Sequence, residues 1–269
     1  MVGGAMANEK HPIVSVVMPA YNARRFIGEA VQSVLDQTYG AWQLIVVDDA
    51  STDNTAEIVE SYRRDDERIL YVRNPGNMGV VHSRNRALDL ASGKYVAFLD
   101  ADDVWKPAKL ATQVSFMEET GTSVSYGSYL RIDGDGRPVG TVLAPDGLSY
   151  DDMLKSNFIG NLTGIFRRAD LGDLRFEDIR HEDYVFWLRA LDRVGSARAT
   201  PSSEPLAGYR VSAGSLSANK FKAARWQWAI YRSVLGLSVL RSTSCFIWYA
   251  WFAVMKRGVW RKSINKVNL

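Results

Sequence analysis

Three carboxylates stand close together at Asp100, Asp102 and Asp103, directly after the apolar run from Tyr95 to Leu99. Carboxylates at the carboxyl end of a buried strand are costly unless a cation balances their charge. Mg²⁺ and Mn²⁺ take oxygen ligands from one or two carboxylates and complete their coordination with phosphate and water. Open α/β sheets bind ligands at this end of their strands. The cluster therefore predicts a site for a divalent cation and a nucleotide diphosphate.

The part of the chain that leads to this cluster alternates between strand and helix patterns. Apolar runs predict buried strands, and helical spacing between them predicts helices, of which Val80 to Ala91 is the last. Pro19 is expected to end the first strand. Strands separated by helices of this length predict a parallel sheet with right-handed crossovers. The predicted strands are 13–18, 44–47, 69–72 and 95–99.

The pattern changes after residue 110. Val124 to Ile132 and Val139 to Leu143 are predicted strands on either side of Asp133 to Gly136, which favours a hairpin turn. A calcium loop is the alternative for this acidic tetrad, but the later ligands and the closing Glu of an EF-hand are missing. Farther on, Leu162 to Phe166 predicts a strand and Glu182 to Val194 an amphipathic helix.

Composition excludes several classes of protein. The 269 residues are 46% apolar and 23% charged, which is typical of a globular protein. Cys245 is the only cysteine, so an intrachain disulfide and a cysteine-based zinc site are excluded. Residues 1–11 lack the apolar segment of a signal peptide, so a cytoplasmic location is expected. The sequence contains no dinucleotide fingerprint, P-loop or Ser-His-Asp arrangement.

Charge is spread unevenly along the chain. No Asp or Glu follows Glu204, whereas eleven Lys and Arg lie from Arg210 onward, so the body before them is acidic. The longest stretch without Lys or Arg in this region, Ser242 to Met255, is too short to span a bilayer. Aromatic side chains beside basic ones instead predict a helix at a membrane surface, through residues 220–269. Packing on the domain or on a second subunit is the alternative, and the acidic body argues against nucleic acid.

Five motifs in register resemble those of the inverting family 2 glycosyltransferases, which adopt the GT-A fold. The matching stretches are Val16 to Asn22, Ser33 to Tyr39, Ile45 to Asp53, Asn77 to Gly79 with Ser83 to Asn85, and Phe98 to Asp103. Shorter matches follow at His181 to Leu188, Tyr209-Arg210 and Ser215 to Ser217. The resemblance implies a mixed, mainly parallel Rossmann-like sheet flanked by helices, followed by an amphipathic helical tail. The expected parts are an extension (1–11), a catalytic domain (12–204, with a nucleotide half 12–110 and an acceptor half 111–204) and the tail (205–269).

The resemblance also implies roles for individual residues. An acid at the position of Asp49 contacts the uracil of a UDP-sugar, and the turn at Pro19 and Tyr21 forms the other wall. Asp102 is the first choice for metal ligand, with Asp100 or Asp103 as the second and Mn²⁺ or Mg²⁺ as the ion. The nucleotide contacts implied in full are Pro19, Tyr21, Asn22, Asp49, Arg84, Asp100, Ala101 and Arg210.

Catalysis is expected from the Glu182-Asp183 pair. Asp183 is the candidate general base, and Glu182 is the reserve. The neighbouring His181 could bind the metal or contact the acceptor, and a structural role is the alternative. The implied activity is an inverting, metal-dependent transfer of a hexosyl or N-acetylhexosaminyl group from a UDP-sugar to a hydroxyl of a surface glycan or lipid-linked acceptor, at the inner face of the cell membrane.

Three other functions stay open. Transfer to polyprenyl phosphate would use the same nucleotide half, and a phosphate acceptor needs less help from a base. A nucleotidyltransferase also combines an α/β nucleotide site with acidic metal ligands, but its glycine-rich loop is absent because Ala20 to Arg25 contains no glycine. The third is a non-catalytic sugar-nucleotide binder or scaffold, against which the intact acidic residues argue.

Overall fold

The computed structural model describes residues 13–211 and 220–252. Its strands are β1 (Val14–Ala20), β2 (Trp42–Asp48), β3 (Ile69–Arg73), β4 (Tyr95–Phe98), β5 (Val104–Trp105), β6 (Val124–Tyr126), β7 (Tyr129–Ile132), β8 (Pro138–Val142), β9 (Gly147–Ser149), β10 (Ile165–Arg167), β11 (Ser196–Ala199) and β12 (Ala207–Arg210). Its helices are α1 (Ile27–Leu35), α2 (Thr55–Asp65), α3 (Val80–Leu90), α4 (Lys109–Thr120), α5 (Tyr150–Lys155), α6 (Arg168–Leu171), α7 (Glu182–Val194), α8 (Lys220–Ala229) and α9 (239–252).

The strands form two sheets. The larger has the order β3-β2-β1-β4-β10-β6-β11-β9, in which β3, β2, β1 and β4 run parallel and β10 is antiparallel to both of its neighbours. The smaller has the order β5-β12-β7-β8. The predicted mixed, mainly parallel sheet flanked by helices is therefore confirmed. The smaller sheet was not predicted from the sequence. The predicted bounds of the extension, the catalytic domain and the tail stay predictions.

Pro19 does not end the first strand, contrary to expectation. β1 continues to Ala20, in register with β2 through the pairs Pro19↔Val47 and Ala20↔Asp48. On its other side, β1 pairs with β4 only as far as Val17. Pro19 therefore lies beyond the part of β1 that is paired on both sides, where its missing N–H has little cost.

The predicted single strand from Val124 to Ile132 is also corrected, because it divides into β6 and β7 in different sheets. The break falls at Gly127, where a Cβ would lie only 2.4 Å from Cδ1 of Leu206. The predicted hairpin turn is confirmed: β7 and β8 are antiparallel, and the Asp133 N–H donates to the Arg137 carbonyl at 2.9 Å. The predicted strand from Leu162 becomes a 3₁₀ turn (Asn161–Thr163) followed by β10.

An aromatic cluster joins the end of β4 to α7. The Phe98 ring makes edge contacts with Phe176, Phe186 and Trp187 at centroid distances of 5.2, 5.4 and 5.8 Å. Phe176 and Phe186 are stacked at 4.3 Å. The helix predicted over Glu182 to Val194 has those bounds in the structure. The carboxylates after β4 and the acidic pair that opens α7 are thus held on one rigid core.

The chain continues beyond the sheets as helices. α8 runs into a π-helical turn (Ile230–Val234), and α9 follows. Within residues 13–211 and 220–252, no helix combines the length and apolar character needed to cross a bilayer. The predicted extension at 1–11 and the match at Ser215 to Ser217 lie outside the described residues.

Candidate active site

A cleft of about 620 Å³ opens beside the carboxyl ends of β1, β2 and β4. It contains most of the residues predicted to contact the nucleotide or the metal, namely Pro19, Tyr21, Asn22, Asp49, Arg84, Asp100, Ala101 and Asp102. The other four predicted residues, Asp103, Glu182, Asp183 and Arg210, do not line it. One strand-end cleft therefore brings together residues from positions 19–102, as parallel topology requires.

One wall of the cleft is the loop after β1, which is tied to the loop after β2. Asn22 has a positive φ of 48°, its N–H donates to Ser51 Oγ at 2.9 Å, and its Oδ1 accepts from the Thr52 N–H at 2.8 Å. Tyr21 beside it is 49% exposed. The cross-linked loops thus present an aromatic surface against which a flat base could stack.

Asp49 forms the floor of the cleft and is a fixed hydrogen-bond acceptor. Its Oδ1 accepts from Asn74 Nδ2 at 2.7 Å and from the Met78 N–H at 2.9 Å, and its Oδ2 accepts from the Gly79 N–H at 2.7 Å. Burial alone would raise the pKa of Asp49, but these bonds, with help from Ser83, hold it below its ordinary value. Oδ2 keeps one lone pair for a ligand.

Asp49 also lies at the start of a helix, α3. Gly79 is the N-cap of α3 with φ 90°, a conformation that suits glycine. The carboxylate therefore meets the positive end of the α3 dipole. The neighbouring Asp48 has a purely internal role, because it accepts from the Ser51 N–H at 2.8 Å and the Tyr71 hydroxyl at 2.7 Å.

Arg84 on α3 links the cleft to α7. Its Nη2 contacts Asp100 Oδ1 at 2.7 Å, and its Nη1 contacts Glu182 Oε1 at 2.8 Å. The side chain is 5% exposed. Burial alone would lower the pKa of Arg84, but Asp100, Glu182 and Asp183 together raise it, so the guanidinium is charged. The arginine was predicted as a phosphate contact, and its carboxylate partner 98 positions away was not predicted.

The three carboxylates after β4 have different surroundings. Asp102 lines the cleft, and Asp100 lines it while paired with Arg84. Asp103 is 2% exposed, and its Oδ1 accepts from the Arg210 N–H at 2.8 Å. Burial and the charge of Asp100 raise the pKa of Asp102 and, further, that of Asp103. The acidic cluster is therefore short of positive charge.

A divalent cation fits this donor set. Within the described ranges, no group of three or more His, Cys, Asp or Glu side chains is arranged to hold a metal ion. Mg²⁺ and Mn²⁺ sites beside nucleotides, however, take one or two carboxylates and complete their coordination with phosphate and water. Asp102 with Asp100 meets that need, whereas Asp103 would have to turn from Arg210. The predicted ligands stay predictions.

Asp183 lies in the first turn of α7, behind Glu182. Burial and the Glu182 charge raise the pKa of Asp183, and they outweigh Arg84, which lowers it. His181 before the pair is in the left-handed region (φ 60°, ψ 44°), and its ring lies 5.6 Å from that of Trp226 on α8. His181 therefore has a structural contact and does not line the cleft.

Arg210 holds the back of the site together. Its Nε donates to the Asp102 carbonyl at 2.8 Å, its Nη1 to the Asp133 carbonyl at 3.2 Å, and its Nη2 to Glu29 Oε2 at 2.6 Å. The guanidinium also lies over the Phe26 ring at 4.3 Å. The predicted contact between Arg210 and a diphosphate stays a prediction, and it would require the side chain to leave these partners.

Two features of the site were not predicted. Arg25 lines the cleft and stacks on its neighbour Phe26 at 4.7 Å; of the two cleft-lining arginines described, it is the one without a carboxylate partner. Tyr129 and Tyr209 form an edge-to-face pair at 6.2 Å, and burial, with the charge of Asp103, raises the pKa of both. Arg25 and Tyr129 belong to no motif or regular spacing that sequence inspection could have used, and Tyr209 was noted only within the Tyr209-Arg210 match.

Known proteins with similar sequences are glycosyltransferases, in agreement with the resemblance found in the motifs. A family model described as Glycosyl transferase family 2 matches residues 15–171. The chain is 43% identical to the putative teichuronic acid biosynthesis glycosyltransferase TuaG of Bacillus subtilis (strain 168), over 94% of this chain and 100% of that protein. It is 39% identical to the UDP-Glc:alpha-D-GlcNAc-diphosphoundecaprenol beta-1,3-glucosyltransferase WfgD of Escherichia coli, over 81% of this chain and 85% of that protein.

A solved structure matches the fold. The crystal structure of S. aureus TarS 1-349 in complex with UDP-GlcNAc superposes with a TM-score of 0.67, covering 88% of this chain and 71% of that chain. At 23% sequence identity this likeness concerns the fold alone.

Proposed function

The chain belongs to glycosyl transferase family 2 and has the GT-A fold, and we propose that it transfers a sugar from a UDP-sugar to a hydroxyl of a lipid-linked or surface glycan, with inversion at the anomeric carbon. One observation carries the proposal. Arg84 joins Asp100 in the nucleotide cleft to Glu182 at the start of α7, at 2.7 and 2.8 Å. The residues suited to a leaving nucleotide and those suited to an acceptor thus share one buried cation.

A uracil nucleotide suits the first part of the cleft. The free lone pair of Asp49 can accept the N3–H of uracil, and Tyr21 offers an apolar face beside it. Support also comes from a relative, because WfgD is named for a UDP-glucose donor. The proposed nucleotide contacts are those predicted from the sequence, with Arg25 added as a cation for the diphosphate. Arg84 can join them, because its buried Nε has no hydrogen-bond partner among the described residues.

A divalent cation, Mn²⁺ or Mg²⁺, belongs to the proposal. Asp102 would hold it, with Asp100 as the second choice and Asp103 as the third. When bound, the ion supplies Lewis-acid stabilisation of the charge on the departing diphosphate. The raised pKa values of Asp102 and Asp103 fit this assignment, because burial and the charge of Asp100 outweigh the nearby arginines, so the cluster can accept further positive charge.

Asp183 is the proposed general base. A base must take the proton of the acceptor hydroxyl as that oxygen attacks, and a carboxylate with a raised pKa does so more readily than an ordinary one. The new bond forms on the face of the sugar opposite the departing UDP, so one displacement inverts the configuration. Glu182 is held by Arg84 and positions the pair.

The names of two relatives support the acceptor side of the proposal. WfgD is named for an acceptor on diphosphoundecaprenol, and TuaG for teichuronic acid biosynthesis, so a cell-envelope glycan is the proposed acceptor class. A lipid-linked acceptor would bring the enzyme to the inner face of the cell membrane, where the predicted contact through residues 220–269 would hold it. Transfer to polyprenyl phosphate is the second candidate, because such an acceptor needs less help from a base.

The direct test is nucleotide release from a panel of UDP- and GDP-sugars by the purified protein. It is run with Mn²⁺, with EDTA, with Asp102→Ala, and with Asp135→Ala as a matched carboxylate control on the exposed hairpin. We expect slow release from one UDP-sugar, lost with EDTA and in Asp102→Ala but kept in Asp135→Ala. The absence of both release and metal-dependent UDP binding would refute the proposal and favour the scaffold.

A further inference from the structure

The outward face of α9 is mainly apolar, and the one charged side chain on the described helix, Arg241, lies at the side of this face. Leu240, Ile247, Trp248 and Trp251 on this face are 84, 63, 48 and 57% exposed. Ile247, Trp248 and Trp251 lie seven, eight and eleven residues after Leu240, which places the four side chains along one side of a helix. Soluble proteins seldom expose so many large apolar side chains together, and such a patch marks a surface for a partner or a membrane.

The inward face of α9 is already occupied. Ser242 is fully buried, and the Phe252 and Phe246 rings contact Phe158 and Trp228 at 5.3 and 5.8 Å. Arg241 at the side of the helix contacts Asp151 at 2.6 Å. The helix is therefore fixed on the body through one face, and its apolar face is directed outward by that packing.

The sequence that follows α9 is basic. Five Lys and Arg occur between positions 253 and 269, and no Asp or Glu occurs after Glu204. Basic residues next to a membrane surface are attracted to anionic headgroups by about 1 kcal/mol each. Two copies of the same basic region would repel each other, which favours a lipid surface over a second copy as the occupant.

We propose that the outward face of α9 lies in the headgroup region of an anionic phospholipid membrane. The helix lies parallel to the surface, with Leu240 and Ile247 entering the acyl boundary. Trp248 and Trp251 sit at the headgroup level, where an amphipathic ring is most stable. The inference rests on the proposed function only for its biological reason, which is an acceptor carried on lipid.

The same helices reach the start of α7. Trp226 on α8 lies 5.6 Å from His181, and its ring also faces the Arg180 guanidinium at 5.4 Å. Trp228, two residues on, is in contact with Phe246 of α9. The membrane-facing helix and the candidate base are thus connected through α8, so binding at a membrane would hold the acceptor side of the site at a fixed distance from the lipid.

The test is flotation of the full chain with vesicles, at physiological salt. Vesicles of phosphatidylcholine alone are compared with vesicles of phosphatidylcholine and phosphatidylglycerol in equal parts. The variant is L240S/I247S/W251S, and the single variants L240S and L143S form a matched pair, because Leu143 is 75% exposed on another part of the surface. Light scattering records the oligomeric state, and UDP binding records whether the fold is intact.

We expect the full chain to float with anionic vesicles as a monomer, the triple variant to bind at least about tenfold more weakly, L240S to weaken binding and L143S to leave it unchanged. UDP binding should be the same in all four proteins, so a failure of the donor proposal would be seen separately. Equal flotation of the triple variant and the parent would overturn the inference. A dimer that the triple variant converts to a monomer, with no vesicle binding by either, would show that the face is a subunit interface instead.

Discussion

Asp49 and Asp183 are the same residue type in two regions of the molecule, and their surroundings oppose each other. Asp49 lies at a strand end, where an amide and two backbone N–H groups hold both of its oxygens and keep its pKa low. Asp183 lies in the first turn of a helix beside a second carboxylate, and burial with the Glu182 charge raises its pKa. The first environment fixes a hydrogen-bond acceptor in place, and the second produces a carboxylate ready to take a proton.

The comparison shows how one fold can give two carboxylates different tasks. Loops after parallel strands supply many inward N–H groups, so a carboxylate there becomes rigid and stays ionised. The first turn of α7 follows a left-handed residue and faces Arg84 across the sheet edge. A carboxylate there depends on a single shared cation for its charge balance.

Apart from removal of the candidate base itself, the largest effect should follow from removing that cation. We expect Arg84→Gln to lower turnover by about a hundredfold, because both Asp100 and Glu182 lose the partner that positions them. The free energy of unfolding should fall by about 2 kcal/mol, less than for a fully buried pair because the carboxylates are 32 and 22% exposed. Steady-state kinetics and urea denaturation measure both effects. Arg175→Gln, which breaks an exposed pair with Asp89, is the control; equal losses in the two variants would contradict the central role of Arg84.

The pH dependence of turnover should be next in size. A general base works only when ionised, so the rate should fall about tenfold per pH unit below the pKa of Asp183. Because that pKa is raised, the acidic limb should lie above the pH at which an ordinary aspartate titrates. Turnover at saturating donor and acceptor measures the limb, with UDP binding as a control for unfolding. A rate that stays constant down to about pH 4 would count against Asp183 as the base.

Stability should change in opposite directions in the two regions. The low folded pKa of Asp49 means that its contribution to stability is present above its unfolded pKa and is lost as pH falls through the folded value. The raised folded pKa of Asp183 means that stability falls as pH rises through that value. At neutral pH, Asp49→Asn should therefore destabilise the fold by about 1 kcal/mol, and Asp183→Asn should stabilise it by up to about 1 kcal/mol. Urea denaturation measures the free energy of unfolding of both variants. Changes of the same sign in the two variants would contradict the predicted opposite effects.

The smallest effect concerns the rim of the nucleotide cleft. We expect Arg25→Ala to weaken UDP binding by about threefold to tenfold, because an exposed cation contributes little per contact. Arg24→Ala is the matched control, since Arg24 is adjacent and exposed but does not line the cleft. Calorimetric titration with UDP and Mn²⁺ measures both. Equal affinities for the two variants would remove Arg25 from the proposed contacts.

Local patterns predicted the fold where they were strong. The apolar runs before Asp49 and Asp100 marked β2 and β4 because buried parallel strands are apolar on both faces. The helix from Glu182 was predicted with its bounds because its apolar spacing is regular. The division of 124–132 could not be predicted, because it depends on Leu206 filling the space beside Gly127, nearly eighty positions later along the chain.

The candidate site, like the fold, could be predicted only in part. Carboxylates at strand ends are visible in the sequence because chemistry, position and motif coincide there. The pairing of Arg84 with Glu182 is not visible, because it depends on how α3 and α7 pack around the Phe98 cluster. Likewise, the basic and aromatic composition of the tail indicated a surface helix, but only the packing of α9 identifies which of its faces is outward.

The most direct test of the contrast is a paired measurement on Asp49→Asn and Asp183→Asn, recording UDP affinity and turnover for both. Asp192→Asn, an exposed aspartate on α7, is the control. We expect opposite results for the two variants: Asp49→Asn binds UDP about tenfold or more weakly, whereas Asp183→Asn binds UDP as the parent does but turns over about a hundredfold or more slowly. Substantial turnover by Asp183→Asn would contradict the assignment of Asp183 as the base and favour a phosphate acceptor, which needs less help from a base.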